Sequence, residues 1–157
     1  MPIIKIKTKI NAPIERVFDL ARCIDLHTES MSESNEKAVA GKTKGLINKD
    51  ETVTWEAIHF GIKQKLTSKI TIFERPHRFR DSMVKGTFKR FDHDHFFETK
   101  DLHTIMKDVF DYDSPLRFIG NIADAVFLEN YMKKLLESRN MLIKAVAESD
   151  DCKKYIS

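Results

Sequence analysis

The chain has 157 residues, 41% of them apolar and 32% charged, with a formal net charge of +3. That is long enough for one domain to bury a core without disulfide or metal staples. Its lysines and arginines form no long run, which argues against a nucleic-acid partner, and no stretch approaches the ~18 uncharged apolar residues of a membrane span.

The elements follow in chain order. Ile4, Ile6, Thr8 and Ile10 alternate with Lys5, Lys7 and Lys9, the period-two pattern of a strand with one dry face. Pro13 suits the first position of a helix and Glu15 favours its positive end. Ile14, Val17, Phe18 and Ala21 then recur at helical spacing, followed by an irregular or second helical piece through Met31. Glu36 to Ala40 is compatible with a short strand. The next stretch, Gly41 to Asp50, reads as a loop. Thr52 to Phe60 is strand-like, with Val53, Trp55 and Ala57 on one face. Past Gly61, Ile62, Gln64, Leu66, Ser68, Ile70 and Ile72 alternate with polar residues until Pro76. Three further strands are expected at 78–85, 88–99 and 102–112. No helix-length crossover separates them, so the sheet should be antiparallel.

After Pro115 the pattern becomes helical. Asn121 can cap a helix, with Asp124 near capping-box spacing. From Asp124 to about Ala147 there is neither Pro nor Gly. Phe127, Leu128, Tyr131, Leu135, Leu142 and Val146 form an apolar face that must be covered. About 24 residues at 1.5 Å each give a rod of roughly 36 Å. The expected architecture is α+β: a curved antiparallel sheet of about seven strands around a long C-terminal helix, with one or two short helices after the first strand. Residues 1–148 read as one domain and 149–157 as a polar, flexible tail.

Such a sheet closes imperfectly on one helix and leaves a cleft, and sites of that kind are mainly apolar with a few polar groups. The inward faces supply candidate ligand-binding residues: Trp55; Phe79, Asp81 and Met83; Phe91, His93 and His95; Thr104, Met106, Asp108, Phe110 and Tyr112; and, from the helix, Leu128, Tyr131 and Leu135. His93 and His95 share one face of a strand. They could bind a metal completed by Asp81 or Asp108, hydrogen-bond to Asp or Tyr across the sheet, or line the cleft and contact a ligand. The pair lacks the flanking glycines and glutamate spacing of a cupin metal motif. Gly41-Lys-Thr resembles the end of a phosphate loop, but Glu36 stands where its first glycine belongs. Asp81, Asp108 and Tyr112 could supply acid–base chemistry, or the carboxylates could pair with Arg78, Arg80 or Arg90. Cys23, placed near a helix C-terminus, is badly placed for a reactive thiol.

Several stretches together resemble the SRPBCC superfamily, which includes START-related lipid-transfer domains, polyketide cyclase/dehydratases and pollen-allergen-like proteins. They are Ala12-Pro-Ile-Glu-Arg-Val-Phe, Glu74-Arg-Pro-His-Arg-Phe-Arg-Asp-Ser-Met, Gly86-Thr-Phe-Lys-Arg-Phe-Asp-His-Asp-His-Phe-Phe, Met106-Lys-Asp-Val-Phe-Asp-Tyr and Leu116-Arg-Phe-Ile-Gly-Asn-Ile-Ala-Asp. The resemblance implies a helix-grip (START-like) fold with a hydrophobic cavity, and no single function. The expected activity is binding of a small hydrophobic or amphipathic ligand, lipid-like or aromatic. The alternative is a polyketide cyclase/dehydratase-like enzyme using His95 or Asp108 as base in the same cavity. No metal or cofactor is expected, and a monomer or weak homodimer is. The two cysteines suggest a reducing compartment. An N-terminus without an apolar signal core fits a cytoplasmic location.

Overall fold

A computed structural model describes residues 2–114 and 122–156, with side chains in the last helix from residue 125 onward. The expected cap at Asn121 and the stretch from Leu116 lie outside the described residues. Strand β1 (Ile3–Ile10) leads into helices α1 (Ile14–Ala21) and α2 (Ile24–Ser30). Strands β2 (Lys37–Gly41), β3 (Thr52–His59), β4 (Ile62–Glu74), β5 (Arg78–Lys85), β6 (Arg90–Lys100) and β7 (His103–Asp113) follow. Helix α3 (Ile122–Ala147) and a short 3-10 turn (Asp150–Lys154) close the chain. All seven strands join one antiparallel sheet in the order β1-β7-β6-β5-β4-β3-β2. Among the described residues no helix is long and apolar enough to cross a membrane.

Pro13 sits one position outside α1, as its N-cap, where its extended backbone sets the entry into the helix. Val17, Phe18, Leu20 and Ala21 form the buried face. Cys23, just past the Arg22 C-cap of α1, is the N-cap of α2; it is buried, and burial pushes its thiol up, so it stays protonated.

The alternation on β4 fails at one point. A bulge between Ile70 and Ile72 inserts an extra residue against Asp81 and Arg80. Downstream of it the faces exchange. Phe73, not Ile72, therefore turns inward and meets Phe18 edge-on at 5.5 Å. The tail also differs from expectation. Cys152 is 5% exposed, Ile156 packs on the core, and the Tyr155 hydroxyl donates to Glu29 at 2.6 Å. The apolar residues Cys152, Tyr155 and Ile156 recur at turn spacing, which the surrounding charges hid.

Helix α3 joins two apolar clusters. Its C-terminal half puts Ile143, Val146 and Ala147 against α1. Its earlier turns and its centre put Leu128 and Leu136 over Ile4, Phe91, Phe110 and Tyr112. The outer face of the sheet is held by cross-strand ion pairs instead. Arg78 and Arg80 both clasp Asp94, at 2.8 Å each. The expectation that these arginines pair with Asp81 or Asp108 is thus corrected: strand alternation puts them on the opposite face.

Burial would raise the Asp94 carboxyl, but hydrogen bonds from Arg80 and Arg78 outweigh it and hold it below its ordinary value. A depressed carboxylate stabilises the fold above its unfolded pKa and loses that contribution as pH falls through the folded one. Asp94→Asn should therefore cost about 1–2 kcal/mol at pH 7, allowing for partial exposure of both arginines. In urea denaturation the gap to wild type should narrow as pH drops below about 4. A gap that does not change with pH would contradict this assignment.

Candidate functional site

The ladder registers assemble the site. Asp81 on β5 pairs with His93 on β6, and His95 on β6 pairs with Asp108 on β7. All four side chains therefore stand on one face of three adjacent central strands. His93 Nε2 is 3.0 Å from Asp108 Oδ1, and His95 Nε2 is 3.1 Å from Asp81 Oδ1. His95 Nδ1 also lies 2.9 Å from Asp108 Oδ1, yet out of line for a hydrogen bond. The two imidazoles tilt over one another with centres 3.9 Å apart, and Phe79 stacks under His95 at 4.2 Å.

Helix α3 completes the cluster. Asn140 Nδ2 donates to Asp108 Oδ2 at 2.6 Å, and Arg139 Nη1 approaches Asp108 Oδ1 at 3.5 Å. Arg139 also donates to the Ala21 carbonyl at 3.0 Å, tying α1 to α3. Neither residue was singled out from the sequence. The signal was present: Leu136, Arg139, Asn140 and Ile143 follow the spacing of a buried stripe, interrupted by polar residues at its centre.

The charges balance. Burial opposes ionisation of Asp108 and Asp81, but the histidines overcome it: Asp108 is held well below the usual carboxylate range and Asp81 falls to about 2. Burial also disfavours the charged form of His95, yet its two carboxylate partners raise it. His93 goes the other way, lowered by burial and by the charge on His95. Two carboxylates thus face Arg139 and two imidazoles, His95 pushed towards its charged form and His93 towards its neutral one. The neutral ring donates from Nε2 to Asp108 and leaves Nδ1 as an acceptor.

Beside this cluster lies a cavity of about 770 Å³. Trp55, Leu66, Phe91 and Phe110 wall it, and α3 roofs it with Leu128, Tyr131, Met132, Leu135 and Leu136. The solvent side carries Phe60, Ile62, Lys63 and Lys65, all substantially exposed. The hairpin from β3 to β4 clasps α3 there: His59 Nδ1 is 2.7 Å from the Tyr131 hydroxyl, and Phe60 rests on Tyr131 with ring centres 4.6 Å apart. His27 of α2 tilts against Trp55 with ring centres 4.3 Å apart and bonds Glu36 at 2.6 Å. His27, Glu36, His59 and Ser68 line the cavity without having been expected there.

Of the candidates from the sequence, Trp55, Asp81, Phe91, His93, Phe110, Leu128, Tyr131 and Leu135 face the cavity. The other seven do not. Phe79 and Met106 pack under α1, and Thr104 donates to the Ala12 carbonyl at 2.6 Å. Tyr112 is fully buried among aromatic rings, and Met83 packs beside that group. His95 and Asp108 are 2% and 1% exposed, sealed behind His93 and Asp81. Sharing a strand face fixes the side of the sheet but not the depth below α1 and α3.

Seven strands, two short helices and a long roofing helix have known counterparts. The protein TTHA0849 of Thermus thermophilus superposes with a TM-score of 0.70 at 18% identity, covering 93% of this chain and 99% of that one. A START superfamily protein of Mycobacterium smegmatis superposes at 0.69 with 9% identity, covering 93% and 97%. The fold is the START-like helix grip. Ginseng major latex-like protein 151 of Panax ginseng shares this helix grip, at a TM-score of 0.65 and 14% identity over 94% and 98% of the two chains. Likenesses this distant carry the architecture alone. No family model and no curated protein sequence matches the chain.

Removing one partner from the cluster should show its weight. Asp108→Asn leaves His95 and Arg139 buried without their counter-charge, and such a loss costs about 3–5 kcal/mol. In chemical denaturation, adding Arg139→Met to that variant should cost much less than Arg139→Met alone costs in wild type. Strict additivity would show that the two residues do not interact.

Proposed function

We propose that the protein binds a small hydrophobic or amphipathic molecule, lipid-like or aromatic, in the helix-grip cavity. The observation that carries this reading is the cavity itself: about 770 Å³, walled by aromatic and aliphatic side chains, with polar groups gathered at its floor. That volume falls within the range of roughly 300–1,000 Å³ usual for small-molecule sites. Apolar contact would supply affinity at about 25 cal/mol per Å² removed from water. Orientation would come from Asp81 and His93. His95 and Asp108 are too deep to touch an organic molecule lying in the cavity. Asp81 is ionised and His93 offers an acceptor nitrogen, so the floor favours a head group that donates hydrogen bonds, a hydroxyl or an amine.

One observation favours a second reading, an acid–base enzyme of the cyclase or dehydratase kind. An imidazole and an ionised carboxylate open together onto a mainly apolar cavity. The base would then be His93 or Asp81, with His95 and Asp108 holding them in place. Under this reading Asp81→Asn abolishes turnover of an identified substrate while leaving its binding within a few fold.

Native mass spectrometry of protein taken directly from cells should show a co-purifying small molecule. In solution, 1-anilinonaphthalene-8-sulfonate should bind and be displaced by long-chain alcohols or amines. Leu135→Trp, which fills the space under α3, should weaken that binding at least tenfold with little change in Tm. Probe binding that is untouched by this variant would place the ligand elsewhere and defeat the reading.

A further inference from the structure

We propose that Asp81, His93 and His95 form a site for a divalent transition-metal ion, of the zinc, cobalt or ferrous type, at the floor of the cavity. This departs from the expectation drawn from the sequence and goes beyond binding of an organic molecule. Two imidazoles and one carboxylate suit such ions and not calcium or magnesium, which favour all-oxygen shells.

The geometry is close to what an ion requires. One ligand atom from each residue, Asp81 Oδ1 and one nitrogen of each ring, lies within 4.8 Å of the other two. Asp81 Oδ1 stands 3.1 Å from His95 Nε2 and 3.7 Å from His93 Nδ1. Bonds of about 2.0–2.1 Å in tetrahedral geometry put neighbouring ligand atoms roughly 3.3–3.4 Å apart. Turns of the two rings would bring the three atoms, now within 4.8 Å of one another, to that spacing.

The groups behind the ligands point the same way. The remaining nitrogens of both rings converge on a single oxygen, Asp108 Oδ1, at 3.0 and 2.9 Å. A metal-bound histidine ordinarily donates its other N–H to a carboxylate, which fixes its orientation and strengthens it as a ligand. His95 Nδ1 is buried and makes no hydrogen bond where it stands, although Asp108 is within reach. The ion takes the place of the proton that His95 Nε2 holds towards Asp81, which leaves to solvent; drawing Nε2 onto the ion rotates the ring, and that rotation can bring Nδ1–H into line. Asp108 is itself fixed by Asn140 and Arg139, so the backing is rigid. Ligands on two hydrogen-bonded strands are also held more firmly than ligands on loops.

The front of the site is open. Asp81 keeps a quarter of its side chain exposed, and both it and His93 face the cavity. A fourth coordination position would therefore point at whatever the cavity holds, a water or a ligand's donor atom. Three protein ligands with one position left open is the pattern of a reactive metal centre, not a structural one.

The test uses full-length protein stripped with a chelator and exchanged into metal-free buffer. Zinc titrated calorimetrically should bind at one equivalent, and cobalt should give visible d–d bands at the same stoichiometry. His93→Ala and Asp81→Asn should each weaken zinc at least a hundredfold, with circular dichroism confirming the fold. Asp81→Asn faces the cavity and provides a folded comparison if His93→Ala does not fold. No uptake by wild type at micromolar zinc overturns the proposal. So does binding that survives both variants, which would locate the ion at other histidines. Displacement of 1-anilinonaphthalene-8-sulfonate in the stripped protein reports organic-ligand binding separately, so either property can fail without the other.

Discussion

The carboxylate of Asp108 organises this molecule. It sits 1% exposed between the sheet and the long helix, and a bare charge there would be untenable. Four groups from two elements satisfy it: His93 and His95 from β6, Arg139 and Asn140 from α3. The helix can lie in one register only, because a shift of one residue would leave the carboxylate and Arg139 both unpaired in the interior. Arg139 extends the constraint to α1 through the Ala21 carbonyl. A hydrophobic contact is forgiving of sliding; this cluster is not.

Fixing α3 at its middle explains where the empty space is. Beyond the cluster towards its C-terminus, Ile143, Val146 and Ala147 close down on α1 with full burial. Towards the N-terminus, the described part of α3 looks across the cavity to β3 and β4. Leu128 and Leu136 reach the aromatic rings of β6 and β7, while Tyr131 and Leu135 span open volume. The contacts at the far rim are side-chain ones: His59 to Tyr131, and Phe60 to Tyr131 and Phe127. The cavity is therefore bounded by a rigid polar joint at one end and an aromatic clasp at the other.

Local chemistry and long-range depth were not equally legible in the sequence. Strand alternation placed His93, His95, Asp81 and Asp108 on one face, because period two is imposed by the backbone itself. The seven strands and three helices emerged from the same kind of local pattern. The bulge at Thr71 escaped notice, since an alternating run carries no mark of where one residue is skipped; Phe73 is recognisable as inward only once Phe18 is opposite it. Arg139 and Asn140 were passed over because a polar residue on a helix is assigned to water by default. Their position between Leu136 and Ile143 marked them as exceptions, but only a buried acid on another element gives that mark a meaning. Depth was the least readable quantity. His93 and His95 are two residues apart and alike in chemistry, yet one meets the cavity and the other is sealed by Phe79 and α3.

That difference in depth sets what the cluster can do. Asp81 and Asp108 have the same side chain, the same pair of histidine neighbours and opposite situations. Asp108 is hydrogen-bonded by His93 and Asn140 and closed in by His95 and Arg139, so it can hold others in place but has nothing to offer an incoming molecule. Asp81 is held by His95, keeps part of its surface open, and shares that opening with the acceptor nitrogen of His93. An arriving hydrogen-bond donor or cation would meet two lone pairs already aimed at it, against a backing whose charges are balanced and whose geometry is fixed by three strands and a helix. Preorganisation of this kind is what makes a small polar patch in a mainly apolar cavity effective. The inner acid and the long helix supply the rigidity, and the outer acid supplies the chemistry.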